Sequence, residues 1–290
     1  MMNLTKTLRK GAVAAASSYR LLITMWLITL LMVILVALPL KSSLKNIFGN
    51  SVAVERLSDG FDLGLTGDIG DRFGEIMSSA TTGGVIVILA GVLLYIFFTG
   101  GLFSQYTTAY GRLSRATFFR ASAQNFISFL LISLLIYCFV GVYTMLILGI
   151  PAGLRLALAR GSLPEGYVMV WFYAVWALGM PVWLLVADYS RRWMAATGSR
   201  KVFRALGEGF RALRRRFWFS YLAMLVILLL NCAFIAATLW FTAWMVPEKG
   251  VMIVLFFIAT QMLFIFRLFM KAWRYATVCE MAVSGGKEGV

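Results

Sequence analysis

Residues 251–275 read VMIVLFFIATQMLFIFRLFMKAWRY, and no charge appears before Arg267. As a helix rising 1.5 Å per residue this stretch runs about 37 Å, enough to cross the roughly 30 Å of hydrocarbon in a bilayer. Five further runs of similar character lie upstream, at 21–40, 82–103, 126–150, 168–187 and 217–246. Hydrocarbon offers no water to unpaired backbone groups, so a span must close its hydrogen bonds within itself or around a barrel. Barrel strands alternate apolar and polar residues. These runs are continuously apolar, and helices are the expectation.

Composition agrees. Apolar residues make up 61% of the 290 and charged residues 13%, against roughly 45–50% and about 25% in soluble domains. A soluble globule, a disordered chain and a collagen-like rod are excluded. There is no histidine, which removes the commonest general base and zinc ligand. Cys138 and Cys232 sit inside apolar runs and Cys279 lies near the C-terminus, so neither a disulfide framework nor a metal motif is expected. The first run is longer than the apolar core of a secretion signal and ends in Leu38-Pro39-Leu40-Lys41 without a small-residue cleavage site. It reads as a retained span.

Basic residues set the orientation. Segments 1–20, 104–125, 188–216 and 267–290 carry 20 Lys and Arg, whereas 41–81, 151–167 and 247–250 carry 7. Lysine- and arginine-rich loops stay cytoplasmic, which places both termini inside. Tyr167, Trp171, Trp240 and Trp244 then belt the outer interface, and Trp193, Trp218, Trp273 and Tyr275 the inner one. The net charge of +15 is accounted for by topology, and nucleic acid is not an expected partner. Arg214, Arg215 and Arg216 face anionic lipid in this reading.

Two connecting regions carry structure of their own. Segment 41–81 holds six of the twelve acids (Glu55, Asp59, Asp62, Asp68, Asp71, Glu75), and it predicts a small outer cap with one short helix around Leu44–Leu57 and another over Asp71–Met77. Its acids miss the calcium-loop pattern. On the inner side Phe-Arg-Ala recurs at 119–121, 203–205 and 210–212. Within the cytoplasmic segment 191–216, Phe203, Leu206, Phe210, Leu213 and Phe217 are spaced three and four apart, with Arg204 and Arg211 off that row. The spacing predicts a helix with one apolar stripe, lying in the interfacial plane and turning into the fifth span as an elbow. Similar layouts precede the third span (115–126) and, more loosely, the first (4–19). The predicted architecture is all-α: three helical hairpins making six spans, each preceded by an amphipathic elbow.

The run Asp188-Tyr189-Ser190-Arg191, with Ala205-Leu206 and Arg211-Ala212-Leu213-Arg214-Arg215-Arg216-Phe217-Trp218 leading into a span, resembles uncharacterised bacterial six-helix inner-membrane proteins. It is also similar to the membrane region fused to some glycerophosphodiester phosphodiesterases. The resemblance implies a helical fold in the bacterial cytoplasmic membrane. It implies no phosphodiesterase activity, which belongs to a separate soluble domain that uses histidine.

Ionisable residues inside spans are the default functional candidates. Arg267 stands well inside the sixth run, with Lys271 and Arg274 at i+4 and i+7, and Asp188 ends the fourth run at similar depth within reach of Arg267. Two readings are open: an anionic headgroup or phosphate site, or snorkelling anchors with one structural ion pair. Asn231 and Gln261 are mid-span amides, fit for interhelical hydrogen bonds or for lining a polar pathway. Gly84 and Gly91 read as a close-packing face, and Pro181 as a kink in the fourth span. No catalytic constellation, cofactor or metal site is expected. The expected role is a non-enzymatic scaffold or partner subunit associated with lipid or envelope processes, with anionic headgroups and another membrane protein as partners. The alternative is a transporter or lipid-translocating protein with a headgroup site at the inner leaflet.

Overall fold

The computed structural model describes residues 3–48, 71–107, 114–153, 167–244 and 250–286. Eight α-helices and no strand appear among the described residues: α1 (Leu4–Ser17), α2 (Tyr19–Phe48), α3 (Asp71–Thr107), α4 (Arg115–Thr144), α5 (Tyr167–Thr197), α6 (Val202–Arg215), α7 (Phe217–Trp244) and α8 (Gly250–Gly286). Five helices contain segments long and apolar enough to cross a membrane, and α1 with the start of α2 makes a sixth when counted as one bent span. These fit a multi-pass membrane protein.

Of the three segments expected as elbows, two are separate helices. The chain breaks at Ser18, where the Ser17 and Ser18 hydroxyls donate to the Ala14 carbonyl at 2.8 and 3.1 Å and compete with the helix's own bonds. It breaks again at Arg216 (φ −142°, ψ 45°) between α6 and α7. The middle elbow is not separate. α4 starts at Arg115, capped by the Ser114 hydroxyl on the Thr117 amide, and runs without interruption through Phe126. Nothing in Arg115–Phe126 breaks a helix: the segment has no glycine, no proline and no serine pair. Beyond Thr144 it widens into a π-turn over Met145–Gly149, where the Ile150 amide reaches back five residues to the Met145 carbonyl. Pro151 follows at once and can give no amide to the ordinary ladder.

The expected outer cap falls largely on 49–70, outside the described residues. Its edges are not independent helices. α2 continues to Phe48, and the stretch expected as a short helix over Asp71–Met77 is the opening of α3.

The chain forms two units: Thr24–Tyr95, and the remainder. In the first, a Cβ placed on Gly84 or Gly91 meets nothing within 4 Å among the described residues. In the second unit α4 pairs with α5, and α7 with α8. Tyr143 donates to the Val175 carbonyl (2.9 Å) and the Trp176 indole to Thr144 (3.0 Å). Phe241 stacks on Phe256, and Phe234 lies 4.7 Å from Phe266.

Packing in this unit is concentrated at one end, which carries α1, α6 and the close of α8 and is here called the basic end. Buried residues of α4 stop at Ile136, those of α5 begin at Pro181, those of α7 stop at Ile227 and those of α8 begin at Leu268. The opposite halves leave Trp171, Leu239, Trp240, Trp244 and Met262 exposed. Lipid tails are as apolar as leucine, so helices in a bilayer gain little by burying leucine against leucine. Close approach of small residues and interhelical polar bonds hold them instead. Those residues cluster at the basic end.

Candidate functional site

Two helices are seated there by glycines. Gly11 of α1 lies against Thr277 of α8 so closely that a Cβ would overlap the Thr277 hydroxyl and come within 3.0 Å of its amide nitrogen. The Trp273 indole donates to the Leu8 carbonyl at 2.9 Å, and Lys10 stands 4.0 Å from Glu280. Gly209 of α6 does the same on α5, where a Cβ would overlap the Ser190 hydroxyl and reach 2.8 Å from the Val186 carbonyl. Ala205, Leu206 and Leu213 complete that buried face.

Between these seats lies a charged centre. Asp188, the one acid of α5, is fully buried. Arg274 of α8 places Nε 3.0 Å from one carboxylate oxygen, and Arg191, one turn along α5, places a guanidinium nitrogen 3.4 Å from the other. The second Arg191 nitrogen donates to Ser133 of α4 at 2.8 Å. One carboxylate therefore ties α4, α5 and α8 together. Alongside, the Tyr189 and Ser220 hydroxyls share a 2.7 Å hydrogen bond that brings in α7. Buried charges in a medium of low dielectric must be paired to persist, and here one anion faces two cations. Each carboxylate oxygen stands beside one guanidinium. Ser133→Ala is expected to remove a charge-assisted bond contributing about 1.5–3 kcal/mol, read as a lower thermal midpoint in detergent by circular dichroism. An unchanged midpoint would show that α4 is held without it.

The expected basic stripe is divided by this arrangement. Arg274 belongs to Asp188, Lys271 is half-buried, and Arg267 is exposed on the side of α8. The partner of Asp188 is thus Arg274 rather than Arg267, two turns further along the helix. Asn231 and Gln261 do not converge. The ring pairs Phe241–Phe256 and Phe234–Phe266 fix the register of the α7–α8 hairpin, which sets the two amides about two turns, roughly 10 Å, apart in height.

The elbow residues divide as well. Leu206 and Leu213 face α5, but Phe203 is 81% exposed and Phe210 44%. Phe210 keeps one edge on Trp183 at 6.4 Å. Arg204, Arg211, Arg214 and Arg215 are exposed, and Arg216 caps the helix. Glu208 takes Arg211 as its partner. Helix α6 therefore has three sectors: a small-residue face on α5, an exposed phenylalanine edge, and an arginine side.

Comparison with family models, with curated proteins and with solved structures finds no match. Among the described residues no three histidine, cysteine or acidic side chains gather as a metal site would require.

Several participants carried no sequence signal of their role. Ser133 is one serine among several in an apolar run. Arg191 sits in a basic cluster that topology already explained. Gly11 and Gly209 could have been noticed as small residues facing Ala15 and Ala205 at helical spacing. Arg9, Arg20 and Arg115 counted only toward orientation, yet they line cavities at the basic end.

Proposed function

We propose that the chain is a non-enzymatic multi-pass protein of a bacterial inner membrane, serving as a scaffold or partner subunit in a lipid or envelope process. Both termini and the basic end face the cytoplasm in this proposal, with α6 lying at the inner interface. Its phenylalanine edge would enter the acyl region and its arginines would meet anionic headgroups. One observation carries the reading: the charged centre at the basic end is engaged in holding helices together, while the opposite halves present apolar and aromatic faces. A brace at one leaflet with uncovered faces at the other suits a protein that receives another membrane protein.

The test is photo-crosslinking in intact cells, with a photoreactive residue at Trp171, Leu239 or Trp240. A discrete adduct with a second membrane protein, absent when the probe replaces buried Met224, is the expected result. Adducts with lipid alone, or with a second copy of this chain alone, would overturn the proposal.

A second reading, a transporter or lipid-translocating protein, is favoured by the cation-lined cavities of the basic end. Fluorescent-lipid flipping in reconstituted liposomes separates the two. Flux above protein-free vesicles would favour translocation, and its absence would favour the scaffold.

A further inference from the structure

Two cavities flank the hinge at Ser17-Ser18 and share both serines and Gln105. One, of about 390 Å³, lies between α1, the end of α3 and α8, with Arg9, Lys10, Tyr106 and Glu280 in its lining. The other, of about 400 Å³, is lined by Arg20 and Arg115 together with the shared residues. Four cations thus meet one acid, and that acid stands 4.0 Å from Lys10. Neither Arg9 nor Arg115 has an ion-pair partner among the described residues. The first turn of α4, a 30-residue helix without an acid at its start, opens on the second cavity through Ser114 and Arg115. Its amide dipoles add to the positive potential. The phenolic oxygen of Tyr106 is buried at the wall beside Ser18.

The opposite wall is apolar, made by Val13, Ala14, Ala276 and Val283. A free phosphate would gain nothing from that wall, whereas an amphiphile would use both sides. We infer that the two cavities form one site for the phosphodiester headgroup of an anionic membrane lipid, held where α1 turns into α2. The inference rests on the membrane reading given above, but not on the existence of a partner protein.

The experiment uses the full chain, delipidated in neutral detergent, with phosphatidylglycerol and phosphatidylcholine as probes and retention read by native mass spectrometry. Wild type should retain phosphatidylglycerol about tenfold more tightly than phosphatidylcholine, as expected of charge-assisted contacts. The triple variant Arg9→Gln, Lys10→Gln, Arg115→Gln should lose that preference. A control with the same loss of charge on α6 (Arg204→Gln, Arg214→Gln, Arg215→Gln) should keep it. The single variant Arg115→Gln, exposed and outside any ion pair among the described residues, should show a partial loss should the triple variant misfold.

Equal loss in both triple variants would assign the preference to general surface charge and overturn the site. Displacement of the lipid by millimolar inorganic phosphate or glycerol 3-phosphate would assign the cavities to soluble phosphate and overturn the lipid. Failure here leaves the crosslinking result standing, and failure to find a crosslinked partner leaves the lipid preference standing.

Discussion

Replacing Asp188 with alanine is expected to destabilise the fold by about 3–5 kcal/mol, the range for removing one partner of a buried ion pair. The loss is large because two guanidiniums remain. Arg274 and Arg191 lie 3.0 and 3.4 Å from the carboxylate, and their side chains are 14% and 10% exposed. Without the anion each must stay buried with its charge uncompensated or pull its helix toward water. Unfolding in mixed micelles, followed by circular dichroism, measures the effect. Arg274→Gln should also destabilise, and the double variant Asp188→Ala, Arg274→Gln should cost less than the sum of the singles, because the second change removes one of the stranded charges. Strict additivity would mean that the two side chains do not interact. Arg267→Gln is the contrast: an exposed residue outside the network, it should change stability by no more than about 0.5 kcal/mol.

Gly209→Leu is expected to lift α6 off α5. The position has no room for even one added carbon, since the Cβ alone would overlap the Ser190 hydroxyl and stand 2.8 Å from the Val186 carbonyl. Overpacking of this kind costs about 1–3 kcal/mol when the surroundings yield. Here part of the obstacle is backbone, which cannot rotate away as a side chain can. Leu213, buried on the same face, reports the displacement. In a background without cysteines, Leu213→Cys should react slowly with a water-soluble maleimide and at least about tenfold faster once Gly209→Leu is added, the factor that 1.4 kcal/mol implies. Equal rates would show that α6 accommodates the larger side chain in place. Gly209→Ala should fall between the two.

The spans were legible because a bilayer imposes one requirement, some twenty apolar residues in a row, that a sequence displays directly. The breaks between helices were less so. Ser17-Ser18 and Arg216 interrupt the chain, while Arg115–Phe126, with the same phenylalanine-arginine layout, continues into its span. Phenylalanine spacing alone does not stop a helix; backbone competition and tertiary seating do. The α6 stripe shows why size misled. Phe203 and Phe210 lie in one row with Leu206 and Leu213, but α5 takes the sector containing Ala205 and Gly209. In lipid, close approach is rewarded more than bulk. The lone acid of the fourth span was conspicuous, but its partner was not. Arg267 and Arg274 are two turns apart on α8, and only the register between α5 and α8 decides which one meets the carboxylate.

The bond from the Trp273 indole to the Leu8 carbonyl joins residues 265 positions apart in the chain. During synthesis, therefore, α1 gains its main seat only once α8 has left the ribosome. Asp188 and Arg191 must enter the membrane together well before Arg274 exists to balance the site. A nascent chain truncated before residue 274 would carry an incomplete set of charges and an undocked α1, both recognisable to quality-control proteases. Closure of the basic end thus waits on the emergence of α8, and products cut short before it are expected to be short-lived.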